Sequence, residues 1–250
     1  MVSVKGGNET RSYVSPRREE AARQTRRAVL TAAAEHFRAA GYAATSLAQI
    51  AESAGVARPT VTTVFGSKCA LLKEALDEAL AGDDDPVPVA QRPWFRPVVE
   101  ARDREELFAA YAHVCTVIGS RAALLFEAAR RAADVGEDTR DLWRATVDNR
   151  RRGAAMVIAR LEDIEAGRWA MGTPTAERAT DALWLLNDPA HYLALVLGRG
   201  WSEDEFSAWL GRQFETAVNV AARQAAASSL PHASARSISP SSSGPSLPAT

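Results

Sequence analysis

The sequence predicts an all-α protein: an N-terminal three-helix helix-turn-helix domain joined to a larger C-terminal helical bundle, about nine helices in all. Three observations carry this. Apolar residues recur at spacings of three and four along nearly the whole interior of the chain. Alanine, leucine, arginine and glutamate dominate, and strand-type alternation is almost absent. The glycines and prolines that end helices fall between the periodic stretches.

Residues 1–18 hold Gly6-Gly7, Asn8, Ser12, Ser15 and Pro16 without an apolar period, and read as a flexible basic arm. The first helix spans roughly Glu19 to Ala40, with Leu30, Ala33, Ala34 and Phe37 on its buried stripe and Gly41 placed to end it. A second, short helix follows Thr45, with Leu47, Ile50, Ala51 and Ala54 inward, and Gly55 breaks it. A third covers about Arg58 to Val64, with Pro59 in the first turn, where a missing N–H costs nothing. Ser67 caps a fourth, whose Leu71, Leu72, Ala75, Leu76 and Leu80 share one side and whose end is marked by Gly82. Residues 19–82 thus form one unit. The run Asp83-Asp84-Asp85-Pro86-Val87-Pro88 and the stretch Arg92-Pro93 to Pro97 make 83–99 a linker. In 100–227 helices are expected near 103–119, 121–135, 138–166, 175–198 and 202–226, separated by Gly119-Ser120, Gly136, Gly167 to Pro174 and Gly198 to Ser202, with a bend at Pro189. Residues 228–250 are rich in Ser, Pro and Ala and read as a disordered tail.

The 250 residues are 46% apolar and 24% charged, enough for one large core or two smaller ones. The net charge of −1 is unevenly spread: residues 1–82 carry 11 basic and 8 acidic side chains, and 83–224 carry 18 basic and 23 acidic. A basic head on an acidic body fits a local anion-binding surface. Cys69 and Cys115 sit in no Cys/His cluster, which argues against a metal site and fits a reducing compartment. The N-terminus lacks the apolar core of a signal peptide, and no apolar run approaches the roughly 20 residues of a membrane span. The expected location is cytoplasmic. No nucleophile–base pair, metal-ligand spacing or phosphate loop is visible, so neither an enzyme nor a cofactor is expected.

The informative segment is Thr45 to Lys68. Two short helices around a tight turn at Gly55 form a helix-turn-helix. Leu47, Ile50, Ala51, Val56, Val61 and Phe65 can close its small core, leaving Arg58, Thr60, Thr62 and Thr63 on one outward side, next to Pro59. Arginine can read guanine O6 and N7, and threonine can meet a thymine methyl or a phosphate. Thr45, Ser46 and Lys68 lie at helix N-termini, where backbone N–H groups favour phosphate; Thr45 and Ser67 read equally as plain caps. Among Arg11, Arg17, Arg18, Arg23, Arg26 and Arg27 some can follow phosphates or a minor groove, and Arg11, Arg17 and Arg18 read equally as a solvated end.

Residues 19–82 resemble the DNA-binding domain of the TetR family of bacterial transcriptional regulators. The resemblance rests on Ala33-Ala34-Glu35-His36-Phe37, Gly41-Tyr42, Thr45-Ser46-Leu47, Ile50-Ala51, Ala54-Gly55-Val56 and Val64-Phe65-Gly66-Ser67-Lys68-Cys69-Ala70-Leu71-Leu72. It implies an all-α homodimer on a palindromic operator, most often released when a small molecule enters the C-terminal domain. Thr62 departs from the pattern, since the family places an aromatic there, typically a tyrosine whose hydroxyl meets the DNA backbone. Val64 replaces a frequent histidine, and Pro59 a small residue.

None of the six tryptophans falls in the head. Tyr111, Trp143, Trp184, Asn187 and His191 are candidates to line a ligand cavity, with burial in an ordinary core as the competing reading. Leu186, Leu193, Leu197, Phe206, Leu210 and Phe214 lie in what resembles the two helices that pair with their copies in a family dimer; the same residues can equally fill an intramolecular core. Arg130-Arg131 and Arg150-Arg151-Arg152 read as solvated helix faces. The expectation is a DNA-binding repressor, homodimeric on a double-stranded operator and released by a small apolar or amphipathic ligand. The alternative is a DNA-binding regulator, or activator, without an inducer.

Overall fold

The computed structural model describes residues 16–83, 87 and 89–228, the last three of them by backbone alone. Arg11, the rest of the arm to residue 15 and the tail from 229 lie outside the described residues. Among the described residues there are ten α-helices and no strand.

Helix α1 spans Pro16–Ala44, broken at Gly41, whose φ of 77° and ψ of 175° are open only to glycine at low cost. Helix α2 (Leu47–Ser53), α3 (Arg58–Phe65) and α4 (Lys68–Ala81) follow. Ser67 caps α4, its hydroxyl accepting from the Ala70 N–H, and Gly82 closes it in the left-handed conformation. The stretch expected to be a linker is tied to the body. Two 3₁₀ turns, Val89–Gln91 and Pro93–Phe95, lead into α5 (Arg96–Glu100), and Phe95 and Val98 are buried. Arg92 is only 5% exposed, and its Nη1 donates to both oxygens of the Asp83 carboxylate at 2.6 Å.

Helix α6 (Arg104–Ala132) is one 29-residue element where two were expected. Gly119 does not break it because the missing side chain receives a neighbour: a Cβ there would lie 2.6 Å from the Tyr192 ring. The Ser120 hydroxyl is satisfied inside the helix, donating to Val117 O at 3.0 Å. Helix α7 (Glu137–Ile164) runs back along α6. The helix expected over 175–198 is divided: α8 (Pro174–Leu186) stops at Asn187, and α9 (Ala190–Tyr192) continues as a π-turn over Leu193–Leu197. Pro189 cannot donate to an α8 carbonyl, and the Asp188 carboxylate caps the new start by accepting from the Ala190 N–H at 2.8 Å. Helix α10 (Glu203–Ser228) completes the bundle.

Two apolar cores result. The first joins α1–α4 to the C-terminal half of α6, through Ala122, Leu125, Phe126, Ala129 and Ala132. The second joins the N-terminal half of α6 to α5, α7, α8 and α10. By length and composition α6 could cross a membrane, contrary to the sequence expectation, but half of that apolar stretch is buried among the other helices. Phe206, Leu210 and Phe214, considered for a dimer interface, are at most 2% exposed and belong to the second core. Of that set only Leu197 is exposed, at 57%, with Leu186 and Leu193 half-buried. A polar clasp holds the far end: Arg104 forks onto Glu165 at 2.6 Å for both bonds and donates to Asn219 Oδ1 at 2.8 Å, while Trp169 Nε1 donates to Glu165.

Candidate nucleic-acid interface

The head is assembled from local rules. Ser46 and Gln49 form a reciprocal capping box at α2: the Ser46 hydroxyl accepts from the Gln49 N–H at 3.2 Å, and Gln49 Oε1 accepts from the Ser46 N–H at 2.8 Å. Gly55, at φ 68°, turns the chain toward α3. Pro59 occupies the first turn of α3, and Val61 and Phe65 anchor the helix in the first core. Arg58, Pro59, Thr62 and Thr63 are exposed and Thr60 is half-buried, so α3 presents a polar outer side. The Thr63 hydroxyl donates back to Pro59 O at 2.9 Å, which fixes its rotamer.

Two expected phosphate holders are placed otherwise. Thr45 is 2% exposed, and its hydroxyl donates to Gly41 O at 2.7 Å, so the exposed hydroxyl at the start of α2 is Ser46. Lys68 Nζ donates to Tyr42 O and Thr45 O, both at 2.9 Å, and lies 4.1 Å from the centre of the Tyr42 ring. Its ammonium ties the start of α4 to the end of α1, and burial lowers its pKa from the ordinary value. Arg26 is likewise engaged, pairing with Glu74 and lying 4.6 Å from the Phe65 ring centre, and Arg23 pairs with Glu20. Arg17, Arg18 and Arg27 are exposed on α1. His36 Nε2 and Ser53 Oγ, 2.8 Å apart, join α1 to α2.

Behind the head, a cavity of about 930 Å³ opens between α1 and α4 on one side and α6 and α7 on the other. Most of its lining is apolar. Of the five residues proposed from sequence, Tyr111 and Asn187 reach it. Trp143 instead stacks under Arg130 and packs on the first core, Trp184 lies beneath Arg150, and His191 faces Trp209 edge-on at 6.3 Å. Each is held by an arginine or an aromatic neighbour rather than by the cavity wall.

Arg150, read from sequence as solvated, is the centre of the polar end. Its side chain is 10% exposed and pairs with Asp188 at 2.9 Å. It also donates to Asn187 Oδ1 and Trp184 O, and Asn187 Nδ2 donates to the Tyr111 hydroxyl at 2.7 Å. Its spacing from Ala154, Val157, Ile158 and Leu161 places it on the buried stripe of α7, a signal the triple-arginine run concealed. Burial lowers the Arg150 pKa. Burial also opposes charge on Asp188, but the Ala190 N–H, Arg150 and Arg130 outweigh it and hold that carboxyl below its ordinary value. Burial pushes the Tyr111 hydroxyl up, and the Cys115 thiol up to about 12. Among the described residues no group of three His, Cys, Asp or Glu could hold a metal.

A capped helix-turn-helix with a polar outer side, carried on an all-α body, defines a class of DNA-binding regulators. Residues 29–75 match the sequence model of the tetR family of bacterial regulatory proteins. The head thus carries a TetR-type DNA-binding domain of the kind found in bacterial transcriptional regulators. Solved structures share the fold. A transcriptional regulator from Rhodococcus sp. Rha1 is 17% identical, with 78% of this chain and 96% of the other covered and a TM-score of 0.55. One from Pseudomonas aeruginosa PAO1 is 18% identical, with coverage of 87% and 99% and a TM-score of 0.59. A TetR-family regulator from Mesorhizobium loti MAFF303099 is 18% identical, with coverage of 80% and 97% and a TM-score of 0.52. No curated protein matches the sequence.

Proposed function

We propose that the chain is a cytoplasmic repressor that binds a palindromic operator as a homodimer and is released by a small apolar or amphipathic molecule. The observation that carries this reading is the position of the cavity. Its walls include Arg26 and Leu30 of α1 and Glu74, Leu76, Glu78 and Leu80 of α4, the two helices on which α2 and α3 are packed. An occupant therefore touches the supports of the reading head, and a difference in its contacts between two head orientations shifts their balance. A regulator without an inducer has no need of such a space, and a fully packed body would favour it. In the proposed complex Arg58, Thr60 and Thr63 face base edges from α3, Thr62 and Pro59 border the backbone, and Ser46 meets phosphate at the start of α2.

The test is a selection of random duplexes on the purified protein, followed by anisotropy titrations at several salt concentrations. A two-fold symmetric site and an affinity that falls steeply with salt are expected. Enrichment of only non-palindromic DNA would overturn the homodimer reading, and flat salt dependence the DNA interface itself.

A further inference from the structure

The charges around the cavity restrict the chemistry of its occupant. At the polar end, Arg150 shares its guanidinium among Asp188, Asn187 and Trp184 O, and Asp188 takes a second arginine, Arg130, at 2.7 Å. Both side-chain groups of Asn187 are engaged, its amide N–H donating to the Tyr111 hydroxyl and to Arg150 O. On the α4 wall Glu74 is paired with Arg26 and Asp77 with Lys73 at 2.6 Å, and just beyond it Asp83 is paired with Arg92. Glu78 and Arg152 are the two lining charges without an ion pair among the described residues. They are opposite in sign, stand on different walls, and both reach solvent.

No buried, uncompensated charge is thus aimed at the interior. A carboxylate or ammonium that entered would lose its hydration without gaining a dedicated counter-ion to offset it. Neutral hydrogen-bonding capacity does remain. Thr146 donates to Leu142 O and keeps its oxygen lone pairs, the Asn149 carbonyl is taken by Arg152 while its N–H₂ is open, and the Tyr111 oxygen accepts from Asn187 with one lone pair left. We propose that the cavity selects a neutral, predominantly apolar molecule whose polar group is a hydroxyl or a carbonyl, and discriminates against carboxylates and ammonium ions of the same length. This rests on the reading of the cavity as the ligand site.

The experiment uses the full chain without DNA and the neutral fluorescent probe N-phenyl-1-naphthylamine, displaced by 1-decanol, decanoate or decyltrimethylammonium below their micellar concentrations. Decanol is expected to displace the probe at a concentration at least tenfold lower than either ion. Gly153 of α7 assigns the binding to this cavity: it lines the wall, and a Cβ there meets no atom within 4 Å. Gly153→Phe places a ring in that open space and removes a helical glycine, so the variant should melt no lower than the parent and bind the probe at least tenfold more weakly. Gly153→Leu makes the same test with a smaller plug. If decanoate or the ammonium ion competes as well as decanol, the neutral-ligand proposal fails while the ligand site stands. If the probe does not bind, or binds both Gly153 variants as it binds the parent, the ligand-site reading fails and the proposal falls with it.

Discussion

Replacing Lys68 with methionine keeps the aliphatic stem and removes only the ammonium. That group makes two 2.9 Å hydrogen bonds, to Tyr42 O and Thr45 O, and lies over the Tyr42 ring. Hydrogen bonds to a charged group reach about 1.5–3 kcal/mol. Lys68 is only half-buried and its burial disfavours the charge, so about 1 kcal/mol each is the appropriate scale. The ring contact adds about 0.5 kcal/mol. Freedom regained by the released side chain offsets about 0.5–1 kcal/mol. Lys68→Met should therefore destabilise the fold by about 2 kcal/mol, a fall in Tm of about 4–8 °C for a chain of this size. Thermal melts followed by circular dichroism measure it. DNA anisotropy at several salt concentrations then separates a strut from a phosphate contact. A strut leaves the slope of log affinity against log salt unchanged, whereas loss of a phosphate contact lowers the slope by about one. A Lys68→Met protein that melts within about 1 °C of the parent and shows the shallower slope would refute the reasoning.

Three further changes test other joints. Gly119→Ala drives a methyl into the Tyr192 ring and should cost about 1–3 kcal/mol in urea unfolding; a variant as stable as the parent would show that α6 and α9 separate freely. Arg104, above all by hydrogen bonding, holds the Glu165 carboxyl below its ordinary value, and Asp188 is held low as described. Both folded pKa values lie below the unfolded ones, so these carboxylates contribute stability above about pH 5 that is lost as pH falls toward about 3. Glu165→Gln and Asp188→Asn should each flatten the acid limb of Tm against pH, and limbs parallel to the parent's would contradict the assignment. Arg58 is exposed, so Arg58→Ala should leave Tm nearly unchanged and weaken binding to the selected duplex by about 1–3 kcal/mol at fixed salt; equal weakening on random DNA would show that it contacts phosphate rather than a base.

The head was legible because its residues answer to neighbours a few positions away. Gly55, Ser67 and Gly82 each meet a local backbone demand, and the structure finds each where that demand places it. The Thr45 assignment failed at the same scale. The S-x-x-Q spacing of Ser46 and Gln49 already marked the capping box and left the neighbouring threonine free to turn inward. What stayed hidden depends on distant residues. Gly119 is indistinguishable from a helix breaker until Tyr192 is seen against it, and Arg150 from a solvated charge until Asp188 and Asn187 arrive from the α8–α9 break. Trp143 and Trp184 stayed open between core and cavity for a related reason. A large ring satisfies a core as readily as a cavity wall, and only the arrangement of elements decides between them.

The unbroken α6 has a consequence for how an occupant could act on DNA. Tyr111, at the polar end of the cavity, and Ala129, in the core of the reading head, lie on the same helix. Had the helix broken at Gly119, the two cores would be joined by a loop, and strain at one end would dissipate there. With Tyr192 seated in the Gly119 notch, the continuous α6 joins the cavity wall at Tyr111 to the surface on which α1 and α4 rest, so in the proposed release a displacement of Tyr111 would have a hydrogen-bonded rod to follow. The notch at Gly119 is where α9 seats on the one helix that both cores share.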